Sequence, residues 1–164
     1  MEFRYLIVIL IFVSFFSCQK ETAVTVSSID FWTDTKVEVK AGQVITIEAT
    51  GEVYGQYNPP AHIWGPLGPE GQTDEVADSL WMLPGAPKIV LIGKIGEEGK
   101  PFEVSREVDF SAENGGLLFL GVNDRVYLHP LDHHYVEKDS RQIHAGCYED
   151  NKGEFTARIK VSNP

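Results

Sequence analysis

The sequence predicts an all-β protein, an antiparallel β-sandwich of the jelly-roll kind with one long inserted loop. Three observations carry that expectation. Several short runs alternate apolar and polar residues with a period of two. Gly, Pro and Asn separate these runs, and no segment keeps a helical period. Two further runs are apolar on both faces, as central strands are.

In chain order, Val24-Thr25-Val26 is a weak first strand. Lys36 to Lys40 alternates strictly and sets Val37 and Val39 on one face. Gln43 to Ala49 is a strong strand, with Ile45, Ile47 and Ala49 pointing one way. Lys88 to Ile95 and Gly116 to Val122 are the doubly apolar runs. The last strand covers Glu154 to Val161, with Phe155, Ala157, Ile159 and Val161 inward. Gly55 to Pro87, rich in Gly and Pro, and Arg125 to Glu149, rich in His and Asp, lack regular pattern. Loops on such scaffolds usually carry the function.

The N-terminus reads as a targeting segment. Tyr5 to Phe16 is apolar except for Ser14, too short to span a membrane as a helix and long enough for a signal-peptide core. Ser17-Cys18-Gln19-Lys20 follows, which resembles a bacterial lipoprotein cleavage site with Cys18 as the lipidated residue. The expected organisation is a signal peptide over 1–17, a polar tether over 18–25 and one domain over 26–164. The expected location is the bacterial cell envelope, through a lipid anchor in the membrane. With Cys18 lipidated, only Cys147 remains, so no internal disulfide is expected. A formal net charge of −10 argues against non-specific nucleic-acid binding and suits a cation.

Asn123-Asp124 directly follows one apolar strand, and Asp150-Asn151-Lys152-Gly153 leads into the last one. If those two strands are neighbours, Asp124, Asp150 and Asn151 converge at one end of a sheet. Two carboxylates, an amide oxygen and loop carbonyls supply much of the six to eight oxygens that calcium takes. On residue types alone, these pieces read first as turn chemistry.

Pieces running in order along the chain add a resemblance. They are Trp32-Thr33-Asp34-Thr35, Gly42 to Gly51, Trp64-Gly65-Pro66-Leu67-Gly68, Leu91 to Gly96, Leu118 to Asp124, and Asp150 to Phe155. Together they resemble the PA-IL-like galactophilic lectins, calcium-dependent sugar-binding sandwiches of galactose-binding-like form. The resemblance implies side-chain calcium ligands at Asp124, Asp150 and Asn151. It implies backbone carbonyl ligands at Tyr54 or Gly55 and at Cys147. It also implies that two sugar hydroxyls complete the shell. Asn123, Trp64, His62 and His129 are the candidate sugar contacts. Where the family loop is short, Arg125 to Glu149 intervenes here, so galactose specificity is not carried over.

The inserted stretch holds His129, His133, His134 and His144. It reads as a polar surface loop, as a source of sugar contacts, or as a catalytic His-Asp pair drawn from Asp132, His133 and His134. The expected function is calcium-dependent carbohydrate binding rather than catalysis. The alternatives are a polysaccharide hydrolase or lyase using residues 125–149, and a calcium-stabilised structural module.

Overall fold

The computed structural model describes residues 21–57, 62–126 and 146–163. The candidate residues Cys18, His129, Asp132, His133, His134 and His144 lie outside them, as does the signal-peptide stretch.

Two antiparallel sheets face each other. The first has the order β1-β11-β3-β4, from β1 (Glu21–Ser27), β11 (Lys152–Ser162), β3 (Val44–Tyr57) and β4 (His62–Leu67). In it, β9 (Glu107–Ser111) pairs with the first half of β3, and β4 pairs with the second half. The second sheet runs β2-β10-β7-β8, from β2 (Thr33–Val39), β10 (Gly116–Val122), β7 (Leu91–Ile95) and β8 (Phe102–Glu103). A small ribbon pairs β5 (Gln72–Val76) with β6 (Pro87–Lys88), and one short helix, α1 (Gly146–Glu149), precedes β11.

The period of two explains the core. Val26, Ile45, Ile47, Ala49, Phe155, Ala157 and Ile159 project from the first sheet into one buried cluster. Val39, Leu91, Leu118, Leu120 and Val122 meet them from the second. Each large aliphatic or aromatic side chain so buried contributes about 1.5–3 kcal/mol. On the other face of β7, Ile92 joins Val90 and Ala86 in a second buried cluster under Trp32, Met82 and Leu83. That second layer is why the 88–95 run is apolar on both faces. The run is nevertheless not one strand. Ile89 has a φ of 60°, which ends β6 and re-aims the chain before β7.

Three expectations need correction. The stretch 18–25 is not wholly a tether, because β1 starts at Glu21 and pairs residue by residue with β11 from Glu21–Lys160 to Ser27–Glu154. Main-chain pairing on a sheet needs no apolar side chain, so the polar composition concealed the strand. The region 55–87 is not irregular throughout, since it contains the end of β3, β4 and β5. Finally, β10 and β11 are not neighbours in a sheet. They sit in opposite sheets, and their ends meet across the sandwich.

Candidate functional site

The C-terminal end of β10 and the N-terminal end of β11 form the site. Asn123 leaves β10 fully buried. Its Oδ1 accepts from the Leu83 N–H at 2.8 Å, and its Nδ2 donates to the carbonyls of Leu83 and Pro87 at 3.1 and 2.9 Å. Every polar atom of that side chain is thereby engaged by the 83–87 loop. Asn123 thus fastens the end of β10 to that loop.

Asp124 is 5% exposed. Its Oδ1 accepts from the Arg125 N–H at 2.6 Å, and its Oδ2 accepts from Nδ2 of Asn151 at 2.6 Å. The same Nδ2 donates to the Ser28 carbonyl at 3.1 Å, so Asn151 ties together three segments. The Asp124 and Asn151 side chains are therefore in direct contact. The contact forms across layers.

Burial pushes the Asp124 carboxyl up to about 7, and the nearby Asp150 charge adds to that rise. The Arg125 N–H, the Asn151 amide and the Arg125 charge oppose it. Burial likewise raises Asp150 to about 6. Within this cluster, Asp150 Oδ1 and Asn151 Oδ1 are shielded from solvent and have no hydrogen-bond partner among the described residues. Unsatisfied buried acceptors cost about 1–3 kcal/mol each. Two such acceptors beside a second carboxylate are chemistry that a cation satisfies.

The donor types fit a hard ion. Oxygens from two carboxylates and an amide suit calcium, whereas zinc prefers nitrogen and sulfur. No group of three His, Cys, Asp or Glu side chains that could hold a metal occurs among the described residues. The implied carbonyl donors are placed as follows. Tyr54 lies in β3 opposite Lys152, one residue past Asn151, and Gly55 lies opposite Trp64. Cys147, in no disulfide, is half-buried in α1. The Asn151 N–H donates to the carbonyl of the next residue, Tyr148, at 3.1 Å, so this turn folds back toward the acidic cluster.

Tyr148 is the residue that the sequence analysis overlooked. It is 1% exposed, and its ring packs against Phe31 with centroids 4.5 Å apart. Its O–H donates to the Val122 carbonyl at 2.8 Å and accepts from the Asp124 N–H at 3.4 Å. It thus pins the segment before Asp150 onto the end of β10. An aromatic two residues before Asp150, inside an otherwise polar stretch, was the available signal. Tyr148→Phe keeps the ring but removes both bonds. It should lower stability by about 1 kcal/mol, measured by thermal melting. An unchanged melting temperature would mean that the end of β10 is held without the hydroxyl.

Trp64 and His62 are on β4, not in a loop. Trp64 is half-buried against the core, with its ring centroid 6.0 Å from that of Trp81. Lys88 Nζ lies 5.3 Å from the Trp64 ring and 5.4 Å from that of Trp81, and binds Glu75 at 2.6 Å. Gly55 leaves room for both Ile89 and Trp64, since a Cβ there would come within 2.7 Å of the Ile89 side chain and 3.4 Å of the Trp64 ring. Trp81 in turn pairs through its main chain with Arg125, the residue after Asp124.

No family model and no curated protein matches the chain. Among solved structures, it matches one described as the EclA N-terminal domain, a PllA-like lectin, with a TM-score of 0.53 and 21% identity. The match covers 86% of this chain and 96% of that one. Likeness at that identity carries architecture rather than activity. The chain has the β-sandwich fold of the PA-IL-like lectins.

Proposed function

We propose that the protein binds carbohydrate through a calcium ion held where β10 and β11 meet. The observation that carries this reading is the pair of buried, unpartnered oxygens on Asp150 and Asn151, set beside the Asp124 carboxylate. Asp124, Asp150 and Asn151 would hold the ion, with main-chain oxygens of Tyr54 or Gly55 and of Cys147 as further donors. Bound calcium would order vicinal sugar hydroxyls, which makes recognition depend on their stereochemistry. Hydroxyls that replace bound water gain little net free energy, so single-sugar affinity should be modest. Trp64, half-buried on β4, is an aromatic surface that a longer glycan could reach. The lectin fold of the matched structure supports the same direction. Lipidation at Cys18 would display this site at the cell envelope.

The test is calorimetry with a panel of neutral glycans, in calcium and then in chelator. Heat of binding that disappears with chelator and returns with calcium is the expected result. A calcium-dependent rise in melting temperature with no sugar response would leave a calcium-stabilised structural module instead. Turnover of oligosaccharides would make the protein an enzyme.

A further inference from the structure

The pole of the sandwich opposite Asp124 holds a recess. The connections β7–β8 and β9–β10 enclose a cavity of about 610 Å³, within the range of about 300–1,000 Å³ typical of small-molecule sites. Phe102 and Phe110 line it as an edge-to-face pair, with centroids 4.9 Å apart and planes at 62°. Both rings are half-buried, so each keeps apolar surface toward the recess. Glu98, Lys100, Glu113 and Asn114 complete the lining. All four are exposed, and none has a hydrogen bond or ion pair among the described residues.

We propose that this cavity is a second carbohydrate site, one that takes a neutral pyranose without calcium. The phenyl rings match the C–H face of a sugar. The carboxylates and the amide oxygen accept from hydroxyls, and the Asn114 and Lys100 N–H groups donate to them. Two carboxylates against one ammonium leave the lining net negative, which disfavours sugar acids. The seven-residue strand β10 separates this recess from Asp124, a span of about 20 Å at 3.3 Å per residue. The two sites are therefore independent, and one domain would bridge two glycans. This inference goes beyond the calcium-site reading and does not depend on it.

Nitrogen-15 NMR of the intact chain in chelator tests it. The probes are the methyl glycosides of glucose, galactose, mannose and N-acetylglucosamine, each raised to about 20 mM because millimolar sites are expected. At least one should move the amide signals of Gly99, Ser111 and Asn114 saturably. The double variant Glu113→Ala, Asn114→Ala changes two exposed turn residues, and it should weaken that response by about tenfold. Asp124→Ala should leave the response unchanged. Absence of saturable shifts at these amides, or an unchanged response in the double variant, would overturn the proposal. Calcium-dependent sugar binding alongside such a result would leave the first site standing. Sugar binding here without any at Asp124 would do the opposite.

Discussion

Asp124→Ala should abolish calcium binding and, with it, calcium-dependent sugar binding, while the sandwich stays folded. Asp124 touches Asn151 directly and lies close enough to Asp150 to feel its charge. Changes to groups outside a metal's first shell cost about 10–100-fold in affinity, so loss of a direct carboxylate should exceed about 100-fold. The fold should tolerate the change. Removing the carboxylate leaves the Arg125 N–H and the Asn151 amide short of a partner, but it also removes a charge that burial disfavours. These effects oppose each other, and calcium-free stability should change by about 1 kcal/mol or less. Calorimetric calcium titration and circular dichroism read the two halves separately. Wild-type calcium affinity in the variant would move the site elsewhere.

Calcium should stabilise the protein strongly at neutral pH and weakly in acid. Both carboxyls have folded values above the ordinary 3.8, about 7 for Asp124 and about 6 for Asp150. A carboxyl raised in this way favours the folded state most below its unfolded value. That contribution is lost as pH climbs through the folded value. The calcium-free protein should therefore weaken between about pH 4 and about pH 7 as buried Asp124 and half-buried Asp150 are forced to ionise. The same ionisation creates the charge that calcium binds. The rise in melting temperature on adding calcium should be small near pH 5 and reach its plateau by about pH 8. With calcium at about 100 times its dissociation constant, the plateau corresponds to about 2.7 kcal/mol. For a domain of this size that is about 10 °C. Equal shifts at both ends of the range would show that the ion does not meet these carboxyls.

The strands were legible where one periodicity governed the residues. Gly116 to Val122 was read with the bounds that β10 has, and Phe155, Ala157 and Ile159 point inward as their alternation required. Strands held mainly by their neighbours were not legible. Glu21 to Thr25 is polar enough to pass for a tether, yet β11 supplies a partner at every position. The segment at 62–67 carries Gly65 and Pro66 and still pairs with β3. Gly and Pro weaken a strand locally, and an edge position beside an existing strand accommodates both.

The candidate site divides in the same way. Asp124, Asp150 and Asn151 read as turn residues by type and as ligands through the family resemblance, and the structure brings Asp124 and Asn151 into contact beside Asp150. The reason for the contact was not available locally. It comes from stacking two sheets, with β10 in one and β11 in the other. Asn123 shows the limit most clearly. Beside Asp124 in the chain it looks like a second ligand, but only the packed 83–87 loop, forty residues away, claims all its polar atoms. Tyr148 gained its role the same way, from a carbonyl at the end of a strand 26 positions earlier. Alternation and composition act between near neighbours, and so they determined the strands, the acidic character and the chemical types of the donors. Which donors meet, and which are already taken, depends on contacts between distant segments, and those form only when the sheets close on each other.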